Sequence, residues 1–168
     1  QRAESRLDQH GVTRFRGTAC FEDAHTVRIV GDSGAESRIR GEKILIATGS
    51  SPLRPAVFPF EDDRVHDSNE ILDLKALPKK LAVIGGGVIG SEYAGTFAAL
   101  GAEVHLIDGR DVLMPFLDSE ISSALTDAMT ANGVRFHWNQ KVVRCDASGA
   151  GDVVLTMDSG AELACDGV

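Results

Sequence analysis

No stretch of this 168-residue chain is long and apolar enough to span a bilayer, and it opens with no secretory leader pattern. Positive charge is scarce too: seventeen Lys and Arg stand against twenty-five Asp and Glu, for a net charge of −8, with no basic cluster. Aromatic residues make up only 5% and form no base-stacking signature, so nucleic-acid binding is excluded. The three cysteines, Cys20, Cys145 and Cys165, form no close pair, and each falls in a strand-like pattern. They read as buried, reduced thiols in a cytoplasmic protein rather than as disulfides or metal ligands. The five histidines (His10, His25, His66, His105, His137) show no metal spacing and are placed on surfaces or strand faces; no metal site is expected. No nucleophile or acid–base dyad is visible. What remains is a chain 43% hydrophobic and 25% charged, ordinary for a soluble globular fold.

The one strong signal is 81–94, Leu-Ala-Val-Ile-Gly-Gly-Gly-Val-Ile-Gly-Ser-Glu-Tyr-Ala. It is a short apolar strand, a Gly-x-Gly-x-x-Gly turn at Gly85, Gly87 and Gly90, and the start of a helix. Eighteen residues past Gly90, a second apolar strand ends in Asp108. Strand, glycine turn, helix and distant acid together read as a seat for the pyrophosphate of a dinucleotide. Gly85 turns the backbone, Gly87 admits the phosphates to the main chain, and Gly90 lets the helix pack closely. The helix start adds free N–H groups and partial positive charge. Val88, Ile89, Glu92, Tyr93, Thr96, Phe97 and Leu100 recur at helical spacing, and Gly101 ends the helix. Asp108 is placed to accept from the adenosine ribose hydroxyls, which favours NAD(H). Arg110, two residues on, either pairs with a 2′-phosphate or is a solvated loop arginine.

Two regions share a pattern about 120 residues apart, as in a duplicated unit. Residues 11–21, 25–30, 36–40 and 43–47 read as strands, with a hairpin around 31–34. So do 132–136, 142–146, 152–157 and 162–165, with Asp158-Ser159-Gly160 answering Asp32-Ser33-Gly34. Gly167-Val168 would open the counterpart of 43–47. The chain therefore reads as a piece of a larger protein with two dinucleotide-binding halves, whose first copy begins upstream. Between the copies, 50–60 holds Pro52, Pro55 and Pro59, 61–63 is a solvated acidic tip, and Asp67 or Ser68 caps a helix through Leu74. Asp118 caps an amphipathic helix over Ser119–Ala131 whose Ile121, Leu125, Ala128 and Met129 face the sheet; Asn132-Gly133 ends it.

These features resemble the two-dinucleotide-binding flavoprotein oxidoreductases over essentially the whole chain. The marks are Lys43-Ile44-Leu45-Ile46-Ala47-Thr48-Gly49-Ser50-Ser51-Pro52, followed by the glycine fingerprint. The transhydrogenase members are the most similar. His66-Asp67-Ser68-Asn69-Glu70-Ile71-Leu72, Gly87-Val88-Ile89-Gly90-Ser91-Glu92-Tyr93-Ala94 and Phe116-Leu117-Asp118-Ser119-Glu120-Ile121 match their patterns. Gly109 stands where NADPH-specific disulfide reductases carry an arginine, and Asp108 where the transhydrogenases are expected to carry asparagine, so the nucleotide preference stays open.

The resemblance implies an α/β, Rossmann-like FAD/NAD(P)-binding fold: a parallel sheet with helices plus a three-stranded antiparallel meander, with part of a second similar domain. Residues 1–52 would be the C-terminal part of the FAD-binding domain, 53–78 a linker and short helix, and 79–168 most of the NAD(P)-binding domain. Gly85, Gly87 and Gly90 would hold the NAD pyrophosphate, with Val88 and Ile89 supplying N–H groups and Asp108, Gly109 and Arg110 around the adenosine ribose. Glu92 would reach the nicotinamide carboxamide, or is a surface helix glutamate. Thr18 and Ala19 would touch the FAD adenine through the backbone, or merely pack in a strand; Thr48 and Gly49 would contact FAD. The implied activity of the intact, homodimeric enzyme is hydride transfer between NADPH and NAD+ through FAD. Hydride transfer needs cofactors stacked away from water rather than a catalytic side chain. The alternatives are a dihydrolipoamide dehydrogenase or other disulfide oxidoreductase, and a non-catalytic NAD(H)-binding redox sensor.

Overall fold

The computed structural model describes residues 2–168, with side-chain surroundings from residue 5 onward. The chain divides into two compact units, Gln1–Ser50 and Ser51–Val168.

In the first unit, helix α1 (Arg2–Gln9) precedes strands β1 (Thr18–Phe21), β2 (Thr26–Val30) and β3 (Glu36–Arg40). They form an antiparallel meander in the order β1-β2-β3, with Ala19 opposite Ile29 and Ile29 opposite Ser37. The hairpin closes where Gly34, at φ 82°, donates its N–H to the Gly31 carbonyl at 2.8 Å. Two expected strands are shorter or missing. Only 18–21 of the 11–21 stretch is extended in a ladder, and 43–47 has no regular structure. A strand exists by its hydrogen-bonded neighbour, and among the described residues none pairs with 43–47; Leu45 and Ile46 stand 89% and 68% exposed. Cys20 is likewise exposed rather than buried, because β1 is uncovered along its length.

The second unit is built on a parallel sheet of β4 (Lys80–Ile84), β5 (Glu103–Asp108) and β6 (Arg135–Trp138), in that order. Helix α2 (Val88–Ala99) joins β4 to β5, and α3 (Ser119–Ala131) joins β5 to β6. Side chains alternate across the pleat. Leu81, Val104 and Leu106 pack with Ala94, Phe97, Leu113 and Met129 on one face. On the other, Ala82 and Ile107 pack with Val153, Leu155, Met157, Leu163 and Cys165. Those five come from a second antiparallel meander, β7 (Val142–Asp146), β8 (Val153–Met157) and β9 (Glu162–Cys165). The strand alternation of β8 is visible in its burial, with Val153, Leu155 and Met157 inside.

The helices bury only part of their apolar residues, and α3 buries a different stripe from the one expected. In α2 the sheet-facing residues are Ser91, Ala94 and Phe97, while Val88, Ile89 and Leu100 are about half exposed and Glu92 and Thr96 face solvent. Small residues at 91 and 94 let the helix lie close to the strands, and the larger apolar groups of its first turn stand at the edge. In α3, Ser122 and Met129 are buried and Leu125 is half-buried, whereas Ile121 and Ala128 are exposed. Asp118 caps α3 by accepting the Glu120 N–H at 2.9 Å, and Gly133, at φ 94°, follows its C-terminal cap.

Residues 53–78 pack into the second unit. Val65 is 2% exposed within the Ile107 cluster, and His66 and Val168 exchange backbone bonds with Val168 and Arg64. The expected helix through Leu74 is a single 3-10 turn, Glu70–Asp73. Asp67 accepts from the Asn69 and Glu70 N–H groups, and Leu74 is already extended at ψ 130°. Asp62 is no solvated tip: the Arg64 guanidinium it grips holds its carboxyl down to about 2, and Arg64 also donates to the carbonyls of Ala147, Gly149 and Gly151.

Candidate dinucleotide-binding site

The fingerprint lies where β4 turns into α2. Gly85 takes φ 105°, which a side chain would oppose, and its N–H donates to the Ile107 carbonyl at 2.9 Å. This bond ties the turn to the neighbouring strand. Gly90 meets the turn from the helix side, where a Cβ would stand 1.9 Å from the Gly85 carbonyl oxygen. Position 90 therefore has room for glycine alone. Gly87 differs: it has ordinary extended backbone at φ −82°, and a Cβ there would meet nothing within 4 Å. Its missing side chain leaves open space in front of the loop rather than relieving a clash.

Gly87 is also the N-cap of α2, and no side chain caps that end. The first bond into the helix runs from the Ser91 N–H to the Gly87 carbonyl at 2.9 Å. The amides of Val88, Ile89 and Gly90 precede that bond and have no intrahelical acceptor. Three unspent donors, the positive end of a helix dipole and an open approach at Gly87 suit a diphosphate.

Asp108 ends β5 beside this loop, 7% exposed. Its Oδ2 accepts from the Gly86 N–H at 2.5 Å and from Arg110 Nη2 at 2.6 Å. Its Oδ1 accepts from the Arg110 N–H and Nε, both at 2.8 Å. The Arg110 guanidinium, backed by the two backbone donors, outweighs burial and holds the Asp108 carboxyl down to about 2. The acid thus joins loop to strand end, and Arg110 is ion-paired to it from an exposed position. Gly109 is exposed between them. Glu92 lies on the exposed side of α2, one turn beyond Val88.

An open cleft of about 490 Å³ runs along β4 to the start of α2, past Ile89, Gly90 and Tyr93, and is walled by Phe58, Phe60 and Val168. Thr18, Ala19, Thr48 and Gly49 all lie in the first unit and are exposed. Thr18 and Ala19 sit in β1 opposite Val30 and Ile29, and Gly49 takes φ 78° in the irregular stretch.

Sheet pairing also makes one cluster that sequence order hides. His105 on β5 and His137 on β6 stack with ring centroids 5.1 Å apart, Nδ1 to Nε2 at 2.8 Å. The other side of His105 meets Glu103 at 2.9 Å, which also pairs with Arg135 at 2.7 Å. Among the described residues no group of three potential ligands could hold a metal ion.

The model for the pyridine nucleotide-disulphide oxidoreductase family matches residues 1–168. The chain belongs to that family. Among its relatives is the soluble pyridine nucleotide transhydrogenase of Pseudomonas paraeruginosa (strain DSM 24068 / PA7), 43% identical over 164 residues, covering 98% of this chain and 34% of that protein. The chain thus spans about a third of the length of this relative. Among solved structures, LpdA from Mycobacterium tuberculosis matches at TM-score 0.78 and 27% identity, over 98% of this chain and 37% of that one. The HOCl-induced flavoprotein disulfide reductase RclA from Escherichia coli matches at TM-score 0.73 and 28% identity, over 99% of this chain and 38% of that one. As a member of the pyridine nucleotide-disulphide oxidoreductase family, the chain has the Rossmann-like α/β fold with antiparallel meanders expected from its sequence. FAD and a nicotinamide nucleotide are the cofactors expected of such an oxidoreductase. No helix among the described residues is long and apolar enough to cross a membrane.

Proposed function

We propose that the intact protein is a cytoplasmic, homodimeric soluble transhydrogenase, and that 79–168 is most of its NAD(P)-binding domain. Residues 1–52 end the FAD-binding domain, and 53–78 connect the two. One hydride leaves NADPH and arrives on NAD+, giving NADP+ and NADH with no further oxidant or proton required. When bound, FAD supplies the redox chemistry that carries the hydride. The observation that carries this reading is the uncapped start of α2 in front of open space at Gly87, in a chain so similar to transhydrogenases.

This chain's residues do the binding and orienting. Val88, Ile89 and Gly90 offer N–H groups to the pyrophosphate, and Gly85 and Gly90 keep the loop tight enough to aim them. Asp108, Gly109 and Arg110 face the adenosine ribose, and Glu92 steers the carboxamide of the nicotinamide. Thr18, Ala19, Thr48 and Gly49 contact FAD.

The test has two arms. Gly87→Leu has room in the fold, so its circular dichroism should match the parent while NADH affinity falls by about tenfold or more, the loss of one or two good phosphate contacts. Unchanged affinity would sink the phosphate site. The full-length enzyme should reduce a nicotinamide analogue of NAD+ with NADPH, with no disulfide present. A strict need for a disulfide or lipoamide acceptor would select the second reading, a disulfide reductase, which the likeness to RclA favours.

A further inference from the structure

The Asp108 carboxylate has no acceptor position left. An ionised carboxylate offers about four lone-pair sites, and here four donors fill them: the Gly86 N–H, the Arg110 N–H, and Nε and Nη2 of Arg110. A ribose hydroxyl can bind Asp108 only by displacing one of them. The two backbone donors belong to the loop and the strand end. The Arg110 side chain is 46% exposed and is the donor that can leave.

In its present position Arg110 is not spent. A guanidinium carries five N–H groups, and Asp108 takes one from Nε and one from Nη2, leaving three with no acceptor among the described residues. A second cation joins it from another part of the chain. The Gln140 and Asn139 N–H groups donate to the Asp108 and Arg110 carbonyls, both at 3.1 Å, so residues 139–140 are zipped onto the end of β5. Lys141 follows, its own backbone clamped by Asp158 through bonds of 3.0 and 2.9 Å. Its stem lies across Gly109, where a Cβ would stand 3.1 Å from Lys141 Cε and 3.4 Å from Cγ. Its ammonium has no carboxylate partner among the described residues. Lys141 therefore fills the space that a side chain at 109 would claim and brings a positive charge to the same strand end.

We propose that Asp108, Arg110 and Lys141 form a two-position latch that lets one site accept both nicotinamide nucleotides. Latched, Arg110 masks the acid, and its free N–H groups with the Lys141 ammonium receive the 2′-phosphate of NADP(H). Unlatched, Arg110 swings away and Asp108 accepts the 2′- and 3′-hydroxyls of NAD(H). Each ligand is bound by the state in which its own sugar finds a complementary charge. This rests on the nucleotide-site reading above and identifies what decides between its two substrates.

The experiment is calorimetric titration of the 168-residue chain and its variants with NADH and with NADPH at fixed low salt. Lys141→Ala should weaken NADPH about tenfold, the loss of one charged phosphate contact, and leave NADH within about twofold. Arg110→Ala should weaken NADPH more, and tighten NADH because the acid is left uncovered. A ratio of the two dissociation constants that stays within about twofold of the parent in both variants overturns the latch. So does an equal loss of both nucleotides in Arg110→Ala. A parent that binds neither overturns the nucleotide site itself, and the latch with it; the failure of one reading is thus distinct from that of the other.

Discussion

The two meanders carry the same pattern and meet opposite fates. Each is three antiparallel strands, and each has an Asp-Ser-Gly turn whose glycine takes φ near 80°, 82° at Gly34 and 83° at Gly160. In β1–β3 only Ile29 is buried, at 7%. In β7–β9, Val153, Leu155 and Cys165 are fully buried, and Met157 and Leu163 nearly so. The difference lies beneath them. The second meander closes over Ala82 and Ile107 of the parallel sheet; the first has no sheet under it among the described residues of its unit. Its exposed faces carry ion pairs instead, Arg28 with Glu36 at 2.8 Å and Arg38 with Glu22 at 2.9 Å. Such pairs contribute little. A meander sets strand register, and a second layer makes it a core.

Core truncation should break that symmetry most visibly. Leu155→Ala, at a site with no exposure, should cost about 2–5 kcal/mol in urea unfolding, whereas Ile39→Ala, at 38% exposed, should cost less than about 1 kcal/mol. Equal costs would mean that the first meander is covered after all. Backbone constraint should be shared even where burial is not. In Gly17→Ala a Cβ would stand 2.2 Å from the Val30 carbonyl oxygen, so the first meander should lose about 1–3 kcal/mol. A silent Gly17→Ala would show that β1 is not held as described.

Asp108→Ala in the second unit strands the buried Gly86 N–H and releases Arg110, for an expected loss of about 1–3 kcal/mol. Because the folded carboxyl is held low, near 2 against an ordinary 3.8, its contribution is complete above pH 3.8 and is lost as pH falls towards 2; Asp108→Ala should flatten acid unfolding in that window. His137 acts the same way at higher pH. Burial, then His105, Arg135 and Lys80, push its imidazole below 6.5, so the unfolded chain takes up more protons as pH drops past that value. Stability should fall on acidification below pH 6.5, and His137→Gln should lessen the fall. The smallest effect is chemical. Cys20 is exposed and should be alkylated first. Burial pushes the Cys145 and Cys165 thiols up to about 11, and both should resist until unfolding.

Much of the candidate site's backbone geometry was legible in 81–94, because a Gly-x-Gly-x-x-Gly turn between strand and helix is a local constraint. Gly85 at positive φ and Gly90 against the Gly85 carbonyl are what that spacing requires. The acid at 108 could also be placed by counting. Its bonding state could not: it depends on the Gly86 amide from another strand end and on Arg110 folding back. Lys141 gave no local signal, since only the pairing of β5 with β6 brings it to Gly109. The buried stripe of α3 differs from the expected one for a related reason. Apolar spacing marks a helix, but which face is buried depends on how closely the sheet approaches, and small residues such as Ser91 and Ser122 permit the closest contact.

By itself the sequence determined the elements: strand alternation, helix caps, the glycine turn and the repeated meander, all governed by interactions within a few residues. Tertiary structure alone decided which meander became a core, that 43–47 forms no strand, that His105 and His137 stack, and that Asp108 is saturated by its neighbours. Those outcomes turn on what a surface or a lone pair meets across the fold, and no local pattern encodes the partner.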